Sequence, residues 1–110
     1  MKALAEVRYA TSRQIYQCCW CFRTISKGDS YRKLSERIDG KLWHFRNCLH
    51  CDAMINETDF MDGDDVVTFY DFQAWVPETV HNIRLKIGWK RQWRHRDGSL
   101  YRIANGRVVV

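Results

Sequence analysis

Two Cys-x-x-Cys pairs constrain the fold of this chain more than any other feature of its sequence. Cys18 and Cys21 form the first pair, Cys48 and Cys51 form the second, and 26 residues lie between the pairs. Four thiolates with this spacing are typical of a tetrahedral zinc site, in which two short loops each present two sulfur atoms to one ion. Such an ion cross-links segments that are distant in sequence, so the pattern predicts one zinc ion with a structural role.

Three further side chains compete for a place around this ion: Cys19, His44 and His50. Cys19 lies inside the first pair, where the geometry of the loop favours the two flanking sulfur atoms. His50 lies between two ligands, where an imidazole more often supports a metal site by hydrogen bonding than binds the metal. Four thiolates already complete a tetrahedron, so none of the three is predicted as a ligand, although the sequence alone leaves each of them open.

The length and composition of the chain suit one small domain. It has 110 residues, of which 45% are hydrophobic, and this is enough for a core. We divide the predicted domain into an N-terminal arm (1–17), a zinc-binding module (18–56), an acidic segment with a helix (57–79) and a basic C-terminal segment (80–110). No apolar run approaches the roughly 20 residues that span a bilayer, and no signal-like stretch begins the chain. We therefore expect a cytoplasmic protein with reduced cysteines rather than disulfides.

A β-hairpin and a helix are predicted around the second cysteine pair. Residues 31–38 form the first strand, Asp39-Gly40 form a two-residue turn, and residues 41–45 form the returning strand. The residues after Cys48 suit a helix whose first turn carries the second pair of sulfur atoms. Backbone amides and the helix dipole stabilise thiolates at that end of a helix.

The order of knuckle, hairpin and helix resembles that of treble-clef zinc fingers. The likeness is greatest to small treble-clef, LIM-like zinc proteins of bacteriophages, which share a Lys-Gly-x-x-Tyr turn and an aromatic segment before the second cysteine pair. Here these are Lys27-Gly28-Asp-Ser-Tyr31 and Trp43-His-Phe-Arg-Asn-Cys48. The resemblance implies a treble-clef module with one zinc ion and a location in the cytoplasm of a bacterial host. A two-zinc LIM domain is excluded, because the cysteines for a second ion are missing.

Two helices and a second hairpin are predicted after the module. Residues 66–76 repeat apolar side chains every three to four positions, which favours a helix that buries Phe and Trp side chains. Pro77 marks a new helix start, and a helix is predicted from about residue 78 to about residue 94, although residues 83–89 also alternate as a strand would. A C-terminal hairpin is predicted around Asn105-Gly106. The predicted fold class is therefore α+β: a zinc-stabilised treble-clef module with an additional helical segment and a C-terminal β-hairpin.

The net charge of +5 conceals three blocks of different sign. Residues 1–51 carry a net charge of +6, residues 52–79 carry −8, and residues 80–110 carry +7. An acidic middle between two basic ends either neutralises one of the ends or repels nucleic acid along one face while another face attracts it. A surface whose charges merely face water is the simpler alternative.

The basic C-terminal segment is the predicted nucleic-acid-binding surface. Its cations can hold phosphates with release of condensed counterions, and a Trp side chain can stack on an unpaired base. Nothing in the spacing specifies bases, so binding is expected to be led by phosphates and to have low sequence specificity. Both Trp residues are equally compatible with a place in the core. The predicted residues are Arg84, Lys86, Trp89, Lys90, Arg91, Trp93, Arg94 and Arg96. Cations around the first hairpin extend this surface: Arg23, Arg32, Lys33, Arg37, Lys41 and Arg46.

The sequence favours a non-enzymatic zinc protein that binds nucleic acid, and the resemblance places this role in phage gene control or on phage DNA. The alternative is an inhibitor or adaptor that docks on a host protein such as a polymerase, nuclease or immune effector, either with an acidic segment that mimics nucleic acid or with an aromatic surface as an anchor. Its docking residues would be Asp59, Asp62, Asp64 and Asp65. A His-Asn-His endonuclease needs an open metal ion, whereas His44, Asn47 and His50 surround a closed four-cysteine site. We expect no catalytic residues, no small-molecule substrate and no membrane partner.

Overall fold

A computed structural model describes residues 5–58 and 68–110, and it confirms a mixed α+β chain. The chain forms two compact units, Met1–Leu49 and His50–Val110. In chain order, the first strands and helix are β1 (Ala5–Thr11), β2 (Tyr16–Gln17), β3 (Thr24–Ile25), β4 (Ser30–Ile38), β5 (Lys41–Cys48) and α1 (Leu49–Thr58). They are followed by α2 (Phe69–Ala74), α3 (Val80–Lys90), β6 (Ile103–Ala104) and β7 (Arg107–Val108). The division into one domain with four segments stays a prediction.

The first unit is built on an antiparallel sheet with the strand order β1-β4-β5. The hairpin of β4 and β5 confirms the prediction, and its turn residues Asp39 and Gly40 have φ of 51° and 77°, as a two-residue turn with two left-handed residues requires. The third strand, β1, lies within the segment predicted as an N-terminal arm (1–17). It pairs along its whole length with β4, from Ala5 opposite Glu36 to Thr11 opposite Ser30. The N-terminal arm is therefore part of the sheet.

The second unit contains the two helices and the second hairpin expected from the sequence. Helix α3 begins after Thr79, whose hydroxyl oxygen accepts the backbone N–H of Asn82 at 3.1 Å. It ends at Lys90, earlier than predicted, because Gln92 and Trp93 adopt left-handed φ values of 54° and 61°. Left-handed residues terminate a helix and satisfy its last carbonyls. The helical interpretation of this segment is confirmed, and its predicted end near residue 94 is wrong.

Helix α2 is shorter in the structure than the predicted helix over residues 66–76. The described residues place it at Phe69–Ala74, preceded by Thr68, whose backbone N–H donates to a carboxylate oxygen of Asp71 at 2.7 Å. Residues 66 and 67 lie outside the described residues. The core of the unit includes Phe72, whose ring stacks on that of Trp89 with 5.5 Å between centroids. No helix among the described residues is long and apolar enough to cross a membrane.

Gly88 is a close-packing position within α3. A Cβ atom added there would lie 2.8 Å and 2.9 Å from ring carbons of Trp93 and 3.0 Å from the ring of Tyr101. Because the buried ring of Trp93 has little room to move, Gly88→Ala is expected to lower the free energy of unfolding by about 1–3 kcal/mol. In an ordinary helix the same change would raise it by about 1 kcal/mol. Urea denaturation measures the difference. Arg84→Ala, at an exposed position of the same helix, is the control, and a stabilised Gly88→Ala variant would contradict the packing.

Candidate metal centre

Four cysteine side chains meet in a buried cluster. The sulfur atoms of Cys18, Cys21, Cys48 and Cys51 all lie within 4.8 Å of one another, and the four residues are at most 4% exposed. Cys18 and Cys21 lie in the turn between β2 and β3, Cys48 ends β5, and Cys51 lies in the first turn of α1. The predicted ligand set is therefore brought together. Cys51 lies in the first turn of the helix as predicted, whereas Cys48, which was predicted in the same turn, is the last residue of β5.

The turn between β2 and β3 has the geometry of a thiolate-binding loop. The backbone N–H groups of Trp20 and Cys21 both donate to the Sγ of Cys18 at 3.4 Å, and the N–H of Arg23 donates to the Sγ of Cys21 at the same distance. Phe22 has a left-handed φ of 63°, which reverses the chain between Cys21 and the strand β3. Hydrogen bonds of this kind favour the charged form of a thiol, the form that binds metal.

A buried guanidinium accompanies the sulfur atoms. Arg23 is only 7% exposed, and its side chain hydrogen-bonds to Cys48. Burial alone would lower the pKa of Arg23, but the negative charges of Cys48, Cys21 and Cys18 raise it overall. A divalent ion with four thiolates keeps an excess of negative charge, and this guanidinium offsets part of it. Arg23 was expected on a basic surface for nucleic acid, and that prediction is wrong because the thiolates draw the side chain inward.

Trp93 contacts the four-cysteine cluster, although it was predicted to bind nucleic acid or to lie in the core. Its indole Nε1–H donates to the Sγ of Cys51 at 3.3 Å, and its ring stacks on the imidazole of His50 with 6.0 Å between centroids. His50 in turn hydrogen-bonds through Nε2 to the backbone carbonyl of Tyr101. This agrees with a supporting rather than a ligating role for His50. The helical spacing of Trp93 from Trp89 was the only sequence signal that favoured burial of its side chain. No sequence signal indicated a contact with a sulfur atom 42 residues away.

The cluster fits one tetrahedral metal ion. A Zn–S distance of about 2.3 Å implies sulfur atoms about 3.8 Å apart, and the Sγ atoms of Cys21 and Cys48 are 3.8 Å apart. A disulfide needs a separation of about 2.05 Å, and all five cysteines are free. Four sulfur donors, closed off from solvent, are the set that selects a soft or borderline divalent ion over Mg²⁺ or Ca²⁺.

The competing candidates are not members of the cluster. Cys19 donates its backbone N–H to the carbonyl of Arg46 at 2.8 Å, and burial raises the pKa of its thiol to about 12, so this cysteine stays protonated at neutral pH. His44 lies on the sheet, where its Nδ1 hydrogen-bonds to the Oγ of Ser35 at 2.8 Å. Neither side chain belongs to the group of four sulfur atoms.

The residues predicted for nucleic acid fall into three groups. Trp89 and Trp93 are 4% and 0% exposed, so neither indole presents a face on which a base can stack. Lys86 donates through Nζ to the carbonyl oxygens of Gln73 (3.0 Å) and Trp75 at the end of α2, a structural role. The remaining predicted residues are all exposed: Arg84, Lys90, Arg91, Arg94 and Arg96.

The acidic residues of the alternative function, Asp59, Asp62, Asp64 and Asp65, lie outside the described residues.

No protein-family model, curated protein or solved structure matches the chain. Function is therefore inferred from the metal centre and from the charged surfaces.

Proposed function

We propose that this chain is a non-enzymatic zinc protein that binds nucleic acid through basic surfaces. The observation that carries the proposal is a set of exposed cations in the second unit that have no acidic partner among the described residues. Within residues 5–58 and 68–110, none of the five forms an ion pair with a carboxylate. They are Arg84, Lys90, Arg91, Arg94 and Arg96. We call them the C-terminal cations.

The metal in this proposal is a single Zn²⁺ with a structural role. Four protein sulfur atoms leave no coordination position for a water or a substrate, and the burial of all four cysteines excludes solvent. A catalytic zinc keeps such a position open. The arrangement therefore supports a role for the ion in holding the knuckle, the end of β5 and the start of α1 together, with no chemistry at the metal.

The chemistry of the C-terminal cations supports phosphate-led binding. Guanidinium groups match phosphate oxygens in a planar fork, and four of the five cations are arginines. Some of these side chains are already oriented: Arg94 donates to the carbonyl of Gly98 at 2.8 Å, and the Nε of Arg91 donates to the carbonyl of Arg94 at 3.2 Å. With both indoles of the segment buried, base stacking there is not part of the proposal. Low sequence specificity follows, because phosphates carry no sequence information.

The family and the source belong to the same proposal. The order of knuckle, β4–β5 hairpin and α1 around four cysteines supports a treble-clef module. The resemblance to bacteriophage zinc proteins supports a role in phage gene control or on phage DNA, in a bacterial cytoplasm. Fold likeness by itself argues for architecture far better than for function, so the binding experiment decides.

A salt titration tests the proposal. The zinc-loaded protein is expected to bind a fluorescent single-stranded oligonucleotide, with a Kd that weakens by about 100-fold between 50 mM and 200 mM NaCl if five phosphates are contacted. Arg84→Gln/Lys90→Gln is expected to reduce the slope of log Kd against log salt by about 1.4, since each single-strand contact contributes about 0.7.

The matched control for that titration is Arg13→Gln/Lys27→Gln, which removes the same charge from exposed positions of the first unit. An equal loss of slope in both double variants would mean that net charge, and not the C-terminal cations, governs binding. A Kd that does not respond to salt, or no binding at 50 mM NaCl, would exclude the proposed function.

One observation favours the alternative, docking on a host protein. Large apolar side chains stand exposed on one face of the β1-β4-β5 sheet, as expected of a protein-binding surface: Val7, Tyr9, Ile38 and Trp43. Failure of the salt titration, together with a stoichiometric bacterial protein that stays bound after nuclease treatment, would favour this function over the first.

A further inference from the structure

The other face of the β1-β4-β5 sheet carries a basic groove. Its volume is about 360 Å³, and it is open to solvent along the sheet. Three strands contribute to it, each with side chains two residues apart, which is the spacing that places them on one face. The polar residues that line it are Glu6, Arg8, Lys33, Ser35, Arg37 and His44. We call this site the sheet groove.

Strand register concentrates positive charge in the sheet groove. Arg8 lies directly opposite Lys33 across the β1–β4 ladder, and like charges at such a position are destabilising. Glu6 pairs with Arg8 through an Nε–Oε1 contact of 2.6 Å. Among the described residues, no carboxylate pairs with Lys33 or with Arg37. The groove thus holds more positive charge than its single carboxylate neutralises, a condition that a bound anion would relieve.

Hydrogen-bonding groups lie beside these cations. Ser35 is opposite His44 in the β4–β5 ladder, and its Oγ is 2.8 Å from the Nδ1 of the imidazole. This contact fixes the ring and leaves Nε2 for another partner. Desolvation, followed by the positive charges of Lys33 and Arg46, lowers the pKa of His44, in agreement with a positive potential on this face.

We propose that the sheet groove is a phosphate-binding site. A phosphate group offers several acceptor oxygens and negative charge, and it matches a site with an arginine, a lysine, a hydroxyl and an imidazole on a shallow surface. A nucleic-acid backbone and a free polyphosphate share this chemistry. The site lies in the first unit and uses none of the C-terminal cations, so it can fail while the proposed function holds, and the reverse.

Pyrophosphate titration tests the site directly. Amide shifts of the zinc-loaded, ¹⁵N-labelled protein are followed by NMR at constant ionic strength. Saturable shifts are expected for residues of β1, β4 and β5. Lys33→Gln/Arg37→Gln is expected to raise the Kd for pyrophosphate at least tenfold, whereas Arg13→Gln/Lys27→Gln, with the same net charge, leaves it unchanged. Shifts that do not saturate in the unmodified protein, or an equal loss in both variants, would overturn the proposal.

The source of the phosphate is read from a second arm with a single-stranded oligonucleotide. A loss of about 1.4 in the salt slope for Lys33→Gln/Arg37→Gln would assign the groove to the nucleic-acid backbone. An unchanged slope, with pyrophosphate binding lost, would assign it to a free phosphate compound. The NMR spectrum and zinc content of each variant report whether it is folded. Arg37→Gln alone, at an exposed position, serves if the double variant is not folded.

Discussion

Cys48→Ser/Cys51→Ser is expected to abolish metal binding and to unfold the chain at room temperature. A structural Zn²⁺ contributes about 10 kcal/mol or more to folding, whereas a small domain is stable by only about 5–15 kcal/mol in total. Loss of the ion therefore removes most of the free energy of unfolding. It also leaves Cys18 and Cys21 as buried sulfur atoms without their ion, beside the buried cation Arg23. Elemental analysis measures the zinc, and circular dichroism measures the structure.

Cys19→Ser is the control for this experiment, because Cys19 is the one cysteine outside the four-sulfur cluster. It is expected to retain one zinc ion per chain and a thermal midpoint within a few degrees of the unmodified protein. A chelator that removes the ion should reproduce the unfolding of the double variant. A folded Cys48→Ser/Cys51→Ser protein with an unchanged midpoint would show that the ion is not structural.

Local chemistry made several elements predictable. The two-residue turns Asp39-Gly40 and Asn105-Gly106 both adopt the paired left-handed φ values that their residue types favour. The cysteine spacing predicted a cluster that the structure brings together, since two short loops can each hold two sulfur atoms without help from distant residues. Pro77 likewise predicted the start of α3 to within two residues, at about residue 78 against Val80 in the structure. Each of these signals is contained in a few neighbouring residues.

Contacts between distant residues account for what the sequence could not predict. The strand β1 has no clean apolar alternation, and it becomes a strand because β4 offers it a paired edge. The sheet groove depends on register, since a shift of one residue would move Lys33 and Arg37 to the opposite face. The docking role of the acidic residues Asp59, Asp62, Asp64 and Asp65 remains a prediction, because they lie outside the described residues.

The end of α3 was also predicted wrongly, and the error concerns Trp93. Apolar spacing extended the predicted helix to about residue 94, because Trp93 continued the helical pattern of Trp89. In the structure Trp93 leaves the helix with its backbone N–H bonded to the carbonyl of Gly88 at 2.8 Å. Gly88 is the position that leaves room for the indole ring, because it has no side chain. Neither the role of Gly88 nor that of Trp93 can be predicted without knowing that Cys51 lies next to the indole N–H.

Trp93→Ala is expected to lower the free energy of unfolding by about 3–5 kcal/mol, the usual range for a buried aromatic residue cut back to alanine. Its ring is fully buried and contacts Tyr101 edge-on at 6.0 Å between centroids. The variant loses this packing, the stack on His50 and the hydrogen bond to Cys51 at once. Urea denaturation of the zinc-loaded protein, with the slope against urea checked for constancy, measures the loss.

Trp93→Phe separates the hydrogen bond from the packing, because phenylalanine keeps an aromatic ring but has no N–H donor. Outer contacts to a metal ligand typically change metal affinity by about 10- to 100-fold, so we expect zinc affinity, measured by competition with a chromogenic chelator, to fall about tenfold. Trp43→Phe, the same change at a residue that is 51% exposed, should leave it unchanged. Equal zinc affinities for the two variants would mean that the indole N–H contributes nothing to holding the metal, and that Trp93 acts by packing alone.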